Sequence, residues 1–191
     1  MKKSLLILAV CLVSYTAFSQ AFQKSTRSLT IYMGGANMFH IPTTGYSGYG
    51  YYGSSFYSPI TGQLGVEMEF GVHKYVGVGF NVGVGGRAGS LYWGNELNVP
   101  VGAFANFHWW QLLDDKVGKD LKSDKLDIYA GLDLGSGAAL HIYNKDIYTD
   151  ALVFVGPHVG IKYYVSPKFA IGGELGYGKT FANFGMTMKL K

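Results

Sequence analysis

Apolar and polar residues alternate along most of this chain with a period of two. Between residues 64 and 73, one set of alternate positions is entirely apolar, while the intervening set carries only Gly, Glu and His. The segment from residue 76 to residue 85 sets Val and Phe against Gly and a single Asn. Successive side chains of a β-strand point to opposite faces, so this period predicts strands rather than helices.

The same alternation continues and predicts eight strands. Six clear runs occupy residues 64–73, 76–85, 97–109, 126–135, 153–163 and 169–177, and two weaker runs lie at 29–33 and 184–190. Tight turns at 73–75 and 166–168 alternate with longer loops at 36–59, 86–96 and 141–150, as in an up-and-down barrel. Residues 111–125 break this rule, because they form a long charged connection at the rim where tight turns are expected.

Alternation alone does not say which face meets lipid, since a soluble barrel shows the same period with the faces exchanged. Three observations favour a membrane barrel. The polar positions are rich in glycine, aromatic residues gather at the strand ends, and strands of about ten residues match the bilayer core. We therefore expect an all-β, eight-stranded antiparallel up-and-down transmembrane β-barrel with its apolar side chains facing outward.

The first 19 residues have the pattern of a secretory signal peptide. Two lysines precede an apolar run from Leu5 to Val13, and the small residues Ala17 and Ser19 precede a predicted cleavage site. The apolar run is shorter than the roughly 20 residues that a membrane-spanning helix needs. The sequence thus predicts a cleaved signal peptide at 1–19 and one barrel domain at 20–191.

Composition and charge narrow the function classes. With 191 residues, 28 glycines and 15% charged residues, the chain suits one folded domain and not a disordered segment. Its one cysteine, Cys11, lies in the predicted signal, so the mature protein would have neither disulfides nor thiolate metal ligands. Without Lys2 and Lys3, 14 basic residues oppose 12 acidic ones and the net charge is +2. Such a small charge gives no support to nucleic-acid binding.

The strand pattern and one hairpin together resemble a known family. A signal ending in Ser19-Gln20, eight alternating strands and the segment SPKFAIGGELGY at 166–177 look like the small outer-membrane β-barrel, or porin-like, family of Gram-negative bacteria. The resemblance covers the whole mature chain. It implies a place in the cell outer membrane, contact with its lipid and insertion by the barrel-assembly machinery. The chain departs from the family at its end, which is Leu190-Lys191 instead of an aromatic residue.

Several ionisable residues fall on the polar positions of the predicted strands and would face the barrel interior. They are Glu67, Glu69, His73, His108, Asp127, Asp133, His158, Lys162 and Glu174. Side chains can fill an eight-stranded barrel, and buried charges must be paired. We expect a largely filled interior that is held together by ion pairs. Because acids outnumber the lysines, a narrow porin that passes small solutes or cations is the alternative.

Two connections are candidates for contact with other molecules. The 36–59 loop mixes Gly and Ser with aromatic residues, a composition that suits adaptable binding surfaces. Its candidate contact residues are Tyr46, Tyr49, Tyr51, Tyr52 and Tyr57. They would meet an extracellular ligand or an envelope protein. The charged 111–125 connection would instead dock the barrel as a subunit of a larger envelope complex.

Motifs for cofactors and catalysis receive little support. Residues 173–180, GELGYGKT, match the phosphate-binding pattern GxxxxGK[ST], but that motif needs a following helix, and a strand pattern follows here. His40 and His141 lie near loop Ser and Asp residues without a spacing that marks a catalytic triad. We expect no cofactor, no metal and no enzymatic activity, and a structural or surface-contact role.

Overall fold

The computed structural model describes residues 21–36, 60–90, 94–117, 121–143 and 146–190. Within these ranges, eight antiparallel strands close into a barrel, and each strand pairs with its neighbours in sequence. The strands are β1 (Arg27–Ala36), β2 (Ile60–His73), β3 (Val76–Ser90), β4 (Gly94–Phe107), β5 (Leu126–Tyr143), β6 (Asp146–Tyr164), β7 (Phe169–Gly176) and β8 (Thr180–Leu190). The predicted fold class is confirmed. The predicted signal peptide, 1–19, lies outside the described residues.

One helix interrupts the barrel pattern. The helix α1 (Trp109–Val117) begins two residues after the end of β4 and occupies the first part of the charged connection. The predicted strand at 97–109 therefore ends too late, since β4 stops at Phe107. No helix in the described part of the chain is long and apolar enough to cross a membrane.

Two predicted loops are largely strand. Ser90 of β3 pairs with Gly94 of β4, and Tyr143 of β5 pairs with Asp146 of β6. The predicted loops at 86–96 and 141–150 are thus wrong, because both segments are the ends of long hairpins. Beyond the apolar belt water surrounds both faces of a strand, so polar residues are accepted on either side and the period of two disappears.

The outward positions form an apolar belt around the barrel. Leu132, Leu134, Val155, Val159 and Met186 are each more than half exposed, and large apolar side chains are exposed on all eight strands. Soluble monomers rarely expose a contiguous apolar surface of this extent. The outward-facing belt predicted for a membrane barrel is therefore present.

Inward glycines make room for aromatic rings on neighbouring strands. The directly paired residues are Tyr32 with Gly65, Phe104 with Gly79, Tyr129 with Gly160, and Phe154 with Gly135. In each pair the ring lies over the glycine, so that a Cβ there would overlap ring atoms. This arrangement explains why glycine is frequent on the polar positions: a narrow barrel holds inward rings only where the facing residue lacks a side chain.

The barrel wall is lower at β7 than at β6. Only His158 to Tyr164 of β6 pair with β7, so among the described residues 146–157 have strand partners on the β5 side alone. Pro157 stands where β7 ends, and its missing N–H suits a position without a paired strand residue on that side; its carbonyl oxygen accepts from the Tyr177 amide at 3.0 Å. The turn between β7 and β8 starts at this level.

Candidate functional site

Most of the predicted interior residues lie inside the barrel. Those that are 7% exposed or less are Glu67, Glu69, His108, Asp127, Asp133, His158, Lys162 and Glu174. His73 is different, because its side chain is exposed at the end of β2. The pairing of β2 with β3 shifts between Gly71 and His73, so alternation no longer fixes the side-chain direction there. The prediction of an interior position for His73 is wrong.

The first interior cluster centres on Glu69 and lies near the rim formed by the tight turns, called the turn rim here. Glu69 Oε1 accepts a hydrogen bond from Asn106 Nδ2 at 2.7 Å and lies 3.1 Å from His108 Nε2. Its Oε2 accepts from Lys162 Nζ at 2.9 Å. The second ring nitrogen of His108 lies 2.8 Å from Asp127 Oδ1. This cluster joins β2, β4, β5 and β6 through the barrel axis.

The residues before β1 fold over the same rim. Phe22 is 3% exposed, and its ring stacks on that of His108 with 3.4 Å between the centroids. The Ala21 amide donates to the Ser123 carbonyl oxygen at 2.8 Å. The N-terminal segment therefore covers the Glu69 cluster at the turn rim.

The second interior cluster centres on Lys179, whose interior position the alternation does not predict. Its Nζ lies 2.8 Å from Glu67 Oε2 and also forms an ion pair with Glu174. Glu174 Oε1 accepts from the Tyr129 hydroxyl at 2.7 Å, and its Oε2 accepts from Asn183 Nδ2 at 2.9 Å. Lys179 is 2% exposed, so a turn residue supplies the cation at the centre of the barrel.

The turn between β7 and β8 reaches this position by bending inward. The backbone N–H of Lys179 donates to Asp133 Oδ2 on β5 at 3.4 Å. Gly178 lies so close to the Asp133 carboxylate that a Cβ there would collide with it. The turn therefore crosses the lumen instead of continuing the wall.

His158 links the two clusters. Its Nε2 lies 2.8 Å from Asn106 Oδ1, and its Nδ1 lies 3.0 Å from Asp133 Oδ2. Polar contacts therefore run without a break from Glu69, through Asn106 and His158, to Asp133 and the inward turn. A buried polar network whose members are hydrogen-bonded to one another rigidifies the interior and favours a single arrangement of its side chains.

Little space remains between these side chains. A small cavity with room for about one water molecule lies among Thr30, Glu67, Tyr129, Lys162 and Glu174. On the β3 side, Asn81 is fully buried, and both polar atoms of its side chain lack a hydrogen-bond partner in the described part of the chain.

The remaining candidate residues fall into two groups. The loop tyrosines Tyr46, Tyr49, Tyr51, Tyr52 and Tyr57 lie outside the described residues. The GELGYGKT segment runs from β7 through the inward turn into β8, so a strand and not a helix follows Thr180. The lysine of this segment, Lys179, pairs with carboxylates and offers no phosphate site.

Comparison with known proteins identifies structures of similar fold. No protein-family model and no curated protein sequence matches the chain. Neisserial surface protein A matches with a TM-score of 0.53 and 11% identity over 86% of this chain and 96% of that chain. Ail, the attachment invasion locus protein of Yersinia pestis, matches with a TM-score of 0.49 and 14% identity, covering 87% of this chain and 96% of its own.

A third similar structure is the N-terminal β-barrel domain of Pseudomonas aeruginosa OprF, with a TM-score of 0.48 and 10% identity over 87% of this chain and 98% of that domain. The match to Neisserial surface protein A shows the shared fold, and the apolar belt agrees with it. The chain has the fold of the small eight-stranded outer-membrane β-barrels of Gram-negative bacteria, as its sequence predicts.

Proposed function

We propose that this protein is an outer-membrane barrel that conducts no solute and has a structural or surface-contact role. The observation that carries the proposal is the position of Lys179, buried between Glu67 and Glu174 on a turn that crosses the lumen. An ion passing through would have to separate this lysine from its carboxylates. Breaking a buried ion pair typically costs about 3–5 kcal/mol, which opposes steady conduction.

The centre of the lumen and its turn rim both support a closed barrel. The inward turn fills the centre, and the segment with Phe22 covers the Glu69 cluster at the turn rim. In this proposal the partners are outer-membrane lipid and, during biogenesis, the barrel-assembly machinery. No step of the proposed role requires catalysis, a cofactor or nucleic acid.

Planar-bilayer conductance of the refolded mature chain, residues 20–191, tests the closed interior. A difference in gel migration between boiled and unboiled samples first shows that the barrel has formed. We expect the folded barrel to be silent. Lys179→Gln should give a cation-selective conductance, because Glu67 and Glu174 then repel each other without their shared cation. The matched control Lys168→Gln, at an exposed turn position, should stay silent.

A narrow cation pore is the second candidate. Among the described residues, two buried lysines, Lys162 and Lys179, and two buried histidines face six buried carboxylates, so negative charge is in excess. The side-chain amide of Asn81, which has no hydrogen-bond partner among the described residues, adds a polar group to the lumen. A steady conductance of the unaltered barrel that falls when Glu67 and Glu69 become Gln would establish the pore and refute the closed barrel.

Surface contact by the 36–59 loop is supported by its Tyr, Gly and Ser composition. Replacing Tyr46, Tyr49, Tyr51, Tyr52 and Tyr57 with Ser tests it in bacteria that display the protein. We expect these cells to lose retention on a glycan array or on immobilised matrix protein, while the gel shift still shows a folded barrel. Unchanged retention would refute the contribution of these tyrosines.

A further inference from the structure

The helix α1 presents an apolar face away from the barrel. At about 100° per residue, Trp109, Leu113 and Val117 share one side of this helix, and Gln111 lies on the other. Leu113 is 38% exposed and Val117 is 51% exposed, whereas Gln111 is 2% exposed. A surface helix of a soluble protein has the opposite orientation, with its apolar face against the core.

Specific contacts hold the helix in this orientation. Asp114 accepts hydrogen bonds from the Leu121 amide at 2.7 Å and from the Ser123 hydroxyl. Asp115 accepts from the Tyr75 hydroxyl at 2.9 Å and pairs with Lys74 Nζ at 2.7 Å. Because Asp115 ties the helix to the β2–β3 turn and Asp114 ties it to the segment that leads into β5, the helix cannot turn its apolar side inward without losing these contacts.

The apolar face continues the belt of the barrel. Phe107, the last residue of β4, is 43% exposed on the belt, and Trp109 begins the helix two residues later. Tryptophan is enriched at membrane–water interfaces, where its ring lies at the headgroup level. Lys116 is exposed in the last turn of the helix, next to Val117, in a position to meet lipid phosphates.

We propose that α1 is an interfacial helix whose apolar face binds the phospholipid leaflet at the turn rim. The occupant is lipid because this face is continuous with the lipid-facing belt and carries tryptophan and lysine at its edges. The helix would fix the depth of the barrel in the bilayer. This inference rests on the proposed membrane location, and the assay below separates failure of the helix contact from failure of insertion.

Tryptophan fluorescence tests the lipid contact in the full mature chain. The double variant Trp93→Phe/Trp110→Phe leaves Trp109 as the reporter, and Trp93→Phe/Trp109→Phe leaves Trp110. Each is refolded into phosphatidylethanolamine/phosphatidylglycerol vesicles that carry bromine either near the headgroup or near the chain ends. The gel shift confirms insertion before any quenching is measured.

We expect headgroup-level bromine to quench Trp109 at least about twofold more than deep bromine, with little quenching by acrylamide in water. Trp110 should be quenched less by bromine, because its Nε1–H donates to the Leu121 carbonyl oxygen at 3.1 Å and its ring packs edge-on against Trp109. If Trp109 of an inserted barrel is open to acrylamide and insensitive to bromine, the lipid contact is refuted and an envelope protein becomes the candidate partner.

A charge on the same face supplies a second test. Leu113→Asp should increase acrylamide quenching of Trp109 several-fold, because an ionised carboxylate withdraws the helix from the interface. Lys168→Gln, at another turn of the same rim, serves as the control and should leave the quenching unchanged. Equal quenching in Leu113→Asp and the unaltered helix would also overturn the inference.

Discussion

Lys179 holds a position where its charge is needed by two carboxylates at once. Its Nζ pairs with Glu67 across the barrel and with Glu174 on the adjacent strand. The rings of Tyr32 and Phe104 lie 5.6 and 5.4 Å from the same nitrogen. Removing this lysine would leave two carboxylates buried without a compensating positive charge, which is energetically costly.

Replacing this lysine should therefore destabilise the barrel. We expect Lys179→Met to lower the free energy of unfolding by about 3–5 kcal/mol, since Glu67 and Glu174 remain buried without their cation. Urea unfolding in lipid vesicles, followed by gel shift, measures the difference. The exposed Lys168→Met is the matched control and should change the stability by less than about 0.5 kcal/mol.

A second variant separates charge from packing. Lys179→Met/Glu174→Gln removes one of the two carboxylates that the first change leaves unpaired, so it should recover part of the loss. If Lys179→Met is as stable as the unaltered chain, then Lys179 does not hold the interior together.

The contact between Tyr129 and Gly160 offers a test of the aromatic-glycine pairs. A Cβ on residue 160 would overlap the Tyr129 ring, which is almost fully buried. We expect Gly160→Ala to destabilise the barrel by about 1–3 kcal/mol, the usual cost of overpacking. Gly62→Ala is the control, because only a backbone oxygen at 3.9 Å would meet its Cβ. Equal stability of both variants would contradict the packing argument.

At the residue scale, alternation predicts inward positions well inside the strands and fails at their ends. Glu67, Glu69 and Glu174 keep the parity of a regular strand and lie inside the barrel. His73 and Lys179 follow a register shift and an inward turn, respectively, and both depart from that parity. Sequence alone does not reveal such a turn, because its direction depends on the Asp133 carboxylate two strands away.

At the scale of the elements, the helix α1 is the element that the alternating pattern did not predict. Its first residue continues the apolar parity of β4, and its nine residues are too few for a helical period to stand out. The charge of this connection predicted a solvated or docking segment. In the structure, Asp115 binds the β2–β3 turn, Asp114 binds the segment that leads into β5, and apolar residues of the helix face outward.

The contact between α1 and the β2–β3 turn should respond to acid. Partial burial raises the pKa of Asp115, but hydrogen bonds from Lys74 and Tyr75 outweigh it, so the pKa lies below its ordinary value of 3.8. Because the pKa is lowered in the folded protein, the contact contributes its full stability at pH values above 3.8. This stability is lost as the pH falls through the lowered pKa. We expect the contact to persist down to about pH 4 and to open in stronger acid.

Tryptophan emission of the Trp93→Phe variant, titrated from neutral to strongly acid pH, measures this opening at Trp109 and Trp110. Asp115→Asn in the same background should lack the transition, because its side chain has no charge to lose. A transition of the same size in both variants would assign the change to other carboxylates.

On the scale of the whole molecule, the barrel is closed both around its wall and through its centre. β1 pairs with β8 along the seam, where the hydroxyl oxygens of Thr30 and Thr187 lie 2.8 Å apart. The Glu69 and Lys179 clusters join strands that are not neighbours. Alternation predicted the wall, but which interior charges meet across the lumen depends on strand tilt and stagger, which the alternation does not specify.

We expect this bracing to make unfolding cooperative. Far-ultraviolet circular dichroism reports strand content, and tryptophan emission of the Trp93→Phe variant reports the rim helix, so the two probes follow different parts of the molecule. Their urea transitions should coincide in vesicles. A separate early loss of β7 and β8 would show that the interior clusters do not couple these strands to the rest.

The position of Lys179 also has a consequence for timing. Glu67 belongs to the second strand, whereas its cation arrives with the last hairpin, after most of the chain has been synthesised. Contacts between such distant parts of a sequence form late in folding. Until then the carboxylates must stay in water, so we expect the chain to need protection from aggregation until its last hairpin is available.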